Sequence, residues 1–310
     1  TSGFAGVRME TSGDQVDVYF GTASAVTYET TSRTADQVIT TSSAYYGPRI
    51  DYDPDTLAVK GLLIEEARTN LSIQSNALTG ASWTPQGAAR GTDATLDLTG
   101  ATAVKLTASA GAGNHQLISP GNVAVANATA YSDSWFVKGG TYSKVSIGIG
   151  DGTRYSAAVF DISGTSNAAA TQTASTGDTG VSGTSVYLGN GWFRCTLTFT
   201  SSGASSRFAN IGMVGATTGN VFSAYGEGSF IAAGTETIYV GQPQVEAGPF
   251  ATSYIPTAAA SVTRVADVVQ FTGAALTALQ GSAWSAIVET GALAGITAGS
   301  TGILGLNASQ

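Results

Sequence analysis

Between Val145 and Phe160 the chain alternates with a period of two, pauses at Asp151-Gly152 and resumes. Val145, Ile147 and Ile149 share one face of the first run. Tyr155, Ala157 and Val159 share one face of the second, with Arg154, Ser156, Ala158 and Phe160 on the other. Successive side chains of a strand point to opposite faces, so this pattern specifies a β-hairpin. Asp-Gly offers the positive φ values that a type I′ turn needs. A second hairpin turns at Asn190-Gly191. Val186 and Leu188 precede it; Phe193, Cys195, Leu197 and Phe199 follow on one face, with Trp192, Arg194, Thr196 and Thr198 on the other.

The alternation recurs at residues 15–20, 25–28, 103–107 and 116–118, and residues 208–214 and 237–245 read as two more strands. Residues 74–91 read as a loop holding Trp83 and Pro85, and 111–114 as a Gly-rich turn. Residues 215–228 read as a long polar loop with Phe222 and Tyr225, 249–257 as an exit from the sheet, and 261–271 as a closing strand. Forty glycines, 43% hydrophobic residues and only 11% charged residues suit many short strands joined by tight turns. A helical bundle would need Glu, Lys, Leu and Arg in quantity. Aromatic residues throughout the chain argue against disorder. The expected class is all-β, an antiparallel sandwich. Period alone leaves a jelly roll and an immunoglobulin-like order equally open.

Residues 1–47 carry too little apolar content for a core of their own and read as an extended N-terminal arm for attachment or oligomerisation. Residues 48–270 form the main domain. Residues 271–310, with a strand-like run at 284–289, read as the start of a further β module or a docking segment, being too few for another sandwich of roughly a hundred residues.

The densest aliphatic run flanked by paired acids is Gly61-Leu62-Leu63-Ile64-Glu65-Glu66-Ala67-Arg68-Thr69-Asn70-Leu71. It reads as a short buried strand and an ordered turn, with Arg68 and Glu65 or Glu66 as an ion pair. This stretch resembles a signature of phage and prophage head-spike, head-fibre and tail-fibre structural proteins. Four further segments match the same family in order: Gly189-Asn190-Gly191-Trp192-Phe193-Arg194-Cys195, Gln244-Val245-Glu246-Ala247-Gly248, Ala251-Thr252-Ser253-Tyr254-Ile255-Pro256-Thr257 and Val262-Thr263-Arg264-Val265-Ala266-Asp267. The resemblance covers residues 48–269. It implies a jelly-roll sandwich of the concanavalin A or carbohydrate-binding-module kind, displayed on a virion surface and assembled in a host cytoplasm. It also implies other virion proteins as partners and a homo-oligomer, a trimer being favoured.

A formal net charge of −8 with four lysines argues against nucleic acid, whose phosphates need a basic stripe, and against anionic membranes. A neutral glycan or a protein surface remains compatible. The single cysteine, Cys195, excludes an intrachain disulfide and lies on the apolar face, where it reads as buried and inert. Thr1 to Phe4 lacks the features of a secretion signal, and Gly and Thr break the apolar segment 292–306, so no membrane insertion is expected.

Catalysis finds little support. His115 is the only histidine, no Gly-x-Ser-x-Gly elbow occurs, and Ser119 is merely nearby; His115 reads as a loop residue. One His and one Cys do not make a zinc site. Asp51, Asp53 and Asp55 begin like a calcium loop, but Thr56 and Leu62 stand where Gly and an acid are required, so a turn is the simpler reading. Gly148-x-Gly150-x-Gly152 precedes a strand and not a helix, which rules out a phosphate loop. Glycoside cleavage needs two facing carboxylates. Glu65 and Glu66 are adjacent, and nothing in the sequence brings Asp151, Asp161 and Glu227 together. The expectation is a non-enzyme without cofactor or metal. Sugar binding asks only for an exposed ring and a few polar neighbours. The residues expected to supply them for host surface polysaccharide are Trp83, Asp151, Arg154, Tyr155, Asn190, Trp192 and Tyr225.

Overall fold

Strand Ala130–Gly139 lies between Trp192–Thr200 and Thr237–Ala247, paired antiparallel with both, and everything else is arranged about it. The computed structural model describes residues 63–98 and 102–267 and, outside them, the strands Arg8–Ser12, Gln15–Phe20, Ser24–Thr30, Ile50–Tyr52, Val59–Leu62 and Val269–Gln270. A seven-stranded sheet runs Ala168–Ala169, Thr179–Tyr187, Trp192–Thr200, Ala130–Gly139, Thr237–Ala247, Thr102–Ala108, Ala88–Leu96. An eight-stranded sheet runs Gln172–Thr176, Tyr155–Asp161, Lys144–Gly150, Ser205–Met213, Gly111–Ile118, Ser229–Ala232, with Val123–Val125 and Thr84–Gln86 paired beside it. The expected antiparallel β-sandwich is thus present.

Alternation decides what lies between the sheets. Tyr131, Trp135, Val137, Phe193, Cys195, Leu197, Phe199, Ile238, Val240 and Val245 come from one sheet. They meet Val145, Ile147, Ile149, Ala158, Phe160, Ala209, Ile211 and Met213 from the other. Each such aliphatic or aromatic side chain contributes about 1.5–3 kcal/mol by leaving water.

Both hairpins form. At the second, Asn190 and Gly191 have φ of 52° and 78°, and the Trp192 N–H donates to the Gly189 carbonyl, as a primed turn requires. The first differs from the type I′ expectation. Only Gly152 has positive φ, 88°, and residues 151–154 join the pair Gly150 and Tyr155. The Asp151 carboxylate accepts from the Thr153 and Arg154 N–H groups at 2.8 and 2.7 Å, and this local capping favours the wider turn.

Four local expectations are corrected. Residues 74–91 are not one loop: Thr84–Gln86 joins one sheet and Ala88–Leu96 the other. The chain changes sheets at Gly87, whose φ is 56° and where a Cβ would meet the Asn114 carbonyl at 2.0 Å. The glycines at 111 and 113 lie within strand Gly111–Ile118, paired to Ser229–Ala232, and are not a turn. Residues 261–271 give two short pieces, Val262–Arg264 beside Arg68–Asn70 and Val269–Gln270 beside Ser24–Thr30. The run at 61–71, expected as a short buried strand and a turn, instead spans the end of strand Val59–Leu62 and the whole of strand Arg68–Asn70, with Ile64 between them 58% exposed. The strands expected at 15–20 and 25–28 fall within Gln15–Phe20 and Ser24–Thr30. The turn at Asp53 to Thr56 and the segment 271–310 lie outside the described residues.

Candidate functional site

The outward face of the eight-stranded sheet is flat where Ser146, Gly148 and Gly150 alternate with the core residues of strand Lys144–Gly150. The loop at 215–228 rests on it. A Cβ on Gly148 would lie 2.0 Å from the Gly226 carbonyl oxygen, and one on Gly150 would lie 2.6 Å from the Tyr225 Cα. The Gly-x-Gly-x-Gly run is therefore a landing strip for a loop. The loop is fixed from below by amides. Asn210 Nδ2 donates to the Tyr225 carbonyl at 3.0 Å. The Glu227 carboxylate accepts from Asn114 Nδ2 at 2.8 Å, Gln116 Nε2 at 2.6 Å and Ser223 Oγ at 3.1 Å.

This seating puts aromatic rings at the surface beside the Asp151 turn. Tyr225 is 41% and Phe208 36% exposed, their centroids 6.3 Å apart. Tyr155 and Phe222 form a second pair at 6.3 Å. A Cβ at Gly152 would touch the Tyr225 hydroxyl at 2.8 Å, so the two loops meet closely. Arg154 lies 3.7 Å from Asp151. Partial burial pushes the Asp151 carboxyl up. The N–H groups of Arg154 and Thr153, with Ser205 and Arg207, outweigh this and hold it below the usual range, so it is ionised at neutral pH. Ring faces beside an anion and a cation can stack against a ligand's C–H groups and hydrogen-bond its hydroxyls.

Four of the seven residues expected from the sequence, Asp151, Arg154, Tyr155 and Tyr225, converge here. Three do not. Trp83 is fully buried, its indole N–H donating to the Gln74 carbonyl at 2.9 Å and its ring edge-on to Trp135 at 5.4 Å. Trp192 is 2% exposed, its N–H directed to the Leu96 carbonyl at 3.2 Å. A carbonyl partner lets an indole be buried, so neither offers a free ring face. Asn190 is exposed at the opposite end of the sandwich. Sequence reading missed Phe208, although it is out of phase with Ala209, Ile211 and Met213 on its strand and so must face outward.

The acids weighed for cleavage stand apart. Asp151 and Asp161 flank opposite ends of strand Tyr155–Asp161, and Glu227 is taken up by amides. His115 is not a loop residue. It is 3% exposed within its strand, with Nδ1 2.6 Å from the Gly87 carbonyl and Nε2 3.3 Å from that of Phe230. Ser119 Oγ donates to the Gly121 carbonyl. Cys195 is buried, as expected, and burial pushes its thiol up. Among the described residues no three His, Cys, Asp or Glu side chains are grouped to hold a metal, and no helix is long and apolar enough to cross a membrane.

The segments on which the resemblance rests meet elsewhere, on the outer face of the seven-stranded sheet. Arg68 pairs with Glu66, as expected, while Glu65 pairs with Arg264 at 3.1 Å and accepts from the Ser253 N–H at 2.6 Å. Glu246 accepts from the Thr252 N–H and hydroxyl at 2.8 and 2.6 Å. Asn70 accepts from the N–H groups of Ser72 and Val245 and donates to the carbonyls of Pro243 and Ile255. These residues lace the strap at 249–257 to the sheet and present no reactive group. No protein-family model matches the chain, and no curated protein matches it.

Proposed function

We propose that this chain is a structural component of a phage-like particle, a head or tail fibre or spike, whose sandwich binds host surface polysaccharide without cleaving it. The observation that carries the binding is the half-exposed pair Tyr225 and Phe208 beside the Asp151–Arg154 turn, on a loop seated by glycines. The virion setting rests on the five motifs and their order. A jelly-roll strand order and a trimer belong to the same reading, since weak single sites gain avidity when many copies engage together.

A connector or decoration protein without glycan affinity is the second reading. Ile231, 79% exposed on edge strand Ser229–Ala232, and Val221, equally exposed, favour it, because such side chains suit a protein neighbour. A depolymerase would need converging acids, and Asp151, Asp161 and Glu227 do not provide them.

A polysaccharide array probed with the full-length chain separates the readings. The expected result is retention of particular polymers by the parent and loss of that retention in Tyr225→Ala. Retention of no polymer by the assembled oligomer would leave the connector as the better reading. Release of reducing ends would revive cleavage.

A further inference from the structure

The most anomalous residue lies far from the aromatic patch. Asp133 is on the core face of strand Ala130–Gly139, between Tyr131 and Trp135, and is opposite Leu197 on one neighbour and Val245 on the other. It is fully buried, and neither carboxyl oxygen has a hydrogen-bond partner. The indole N–H of Trp135 acts on the carboxyl but falls short of hydrogen-bonding geometry, and is itself unpartnered. We infer that Asp133 is a proton-dependent latch: the sandwich closes on its neutral acid, and the fold is weakened as the solvent draws that proton away.

The surroundings leave the ionised form without compensation. From its own strand Asp133 shares a face with Tyr131, whose hydroxyl accepts from the Ala126 N–H. Strand Trp192–Thr200 presents Cys195 and Leu197 to the core, and its Arg194 points to the other face, toward Ser134 and Thr252. Strand Thr237–Ala247 presents Val245, and its Glu246 likewise points outward to Thr252. The facing sheet contributes Val145, Ile147, Ile149, Ala209, Ile211 and Met213. Lys144 lies at the end of its strand, over the Tyr142 ring, and Arg207 is committed to Asp178. No described cation faces the carboxyl. A buried charge without a partner is among the costliest arrangements in a protein, and the group neutralises instead. Burial pushes the Asp133 carboxyl well above the ordinary range, with Trp135 opposing only in part.

The sign follows from linkage. An unfolded aspartate ionises near pH ~3.9. Above that pH and below the raised folded value, the folded chain holds one more proton than the unfolded chain. Stability therefore falls as pH rises through this window and is unaffected by Asp133 below it. The acids held below their usual range, Asp93, Asp151, Asp178 and Glu236, act in the opposite sense and only at more acid pH. The two windows meet near pH ~4, so above about pH 5 the depressed acids no longer contribute to the pH dependence.

The test is urea unfolding of the full-length chain at pH 5, 6, 7 and 8, with Asp133→Asn beside the parent. The parent's unfolding constant should rise by up to about tenfold per pH unit through the Asp133 proton. That part of the rise should vanish in the variant, which changes no other side chain. Identical pH profiles for the two proteins would overturn the latch. Should Asp133→Asn not fold, carbon NMR of aspartate-labelled parent protein decides. One side-chain carboxyl keeping the protonated shift at pH 6 upholds the proposal, and every carboxyl ionised there rejects it.

Discussion

Arg207 and Asp178 form a two-pronged ion pair with no side-chain surface exposed on either, Nη2 reaching Asp178 Oδ1 at 2.9 Å and Nη1 reaching Oδ2. Asp178 precedes strand Thr179–Tyr187 of one sheet, and Arg207 is on strand Ser205–Met213 of the other. Ser156 Oγ and the Ser202 N–H also donate to Asp178, and Phe199 underlies the guanidinium at 5.4 Å. The pair pins the two sheets together at one end. Removing one member of such a pair strands the other, so Arg207→Ala should cost about 3–5 kcal/mol in urea unfolding. Replacing both with apolar residues of similar volume should cost much less than two single losses.

The same pair sets the acid limb of stability. Burial pushes the Asp178 carboxyl up, but the hydrogen bonds from Arg207, Ser156 and Ser202 outweigh it and leave the group below its usual range. Its contribution is thus present above the unfolded value of about 3.9 and is lost as pH falls through the lower folded value. A melting-temperature series from pH 5 to 2 should fall steeply for the parent. In Asp178→Asn it should start lower and fall less.

The sheet content was legible because alternation is local: strands at Val145, Phe193 and Thr237 follow from spacing alone. What spacing omits is which outward face another segment covers. Trp192 was correctly placed on the face away from Cys195, yet it is buried because the chain near Leu96 covers it. Tyr225 sat in a loop with no period to read, and only its seat on Gly150 shows that its ring is held at the surface. Asp133 reads as one more polar residue among Ser132 and Ser134. Its inward orientation follows from phase with Tyr131 and Trp135, but its lack of a partner depends on both neighbouring strands and the opposite sheet.

If Gly148 and Gly150 seat the loop, a methyl group there should unseat it without disturbing the core. Gly148→Ala places a Cβ 2.0 Å from the Gly226 carbonyl oxygen, a backbone atom that can yield only by moving the loop. The expected loss is about 1–3 kcal/mol. Limited proteolysis should cut within 215–228 faster than in the parent, while near-ultraviolet signals from Trp83 and Trp135 persist. Unchanged proteolysis would mean that the loop is held by its amides alone.

Tyr225 and Trp192 should respond oppositely to truncation. Trp192→Ala empties a buried site and should cost about 3–5 kcal/mol. Tyr225→Ala, at a ring 41% exposed, should cost about 1 kcal/mol or less. Polysaccharide retention should reverse this order. Losing one ring contact weakens a single site by about five- to tenfold, and an oligomer amplifies the loss. Equal loss of retention in both variants at a temperature where both remain folded would remove the aromatic patch from the binding reading.

Asn70 closes the opposite face. Its amide spans four backbone groups, with Nδ2 donating to Pro243 and Ile255 at 3.1 and 2.8 Å and Oδ1 accepting from Ser72 and Val245 at 3.0 and 3.1 Å. It is fully buried, so truncation leaves those groups without water to replace the amide. Asn70→Ala should cost on the order of 3 kcal/mol. Asn70→Asp should do no better, because a carboxylate can accept from Ser72 and Val245 but faces two carbonyl oxygens where Nδ2 stood. Hydrogen exchange should show the strap at 249–257 losing protection in both variants before strand Ala130–Gly139 does. Simultaneous loss of both would make the strap part of the core's cooperative unit and not a separate cover.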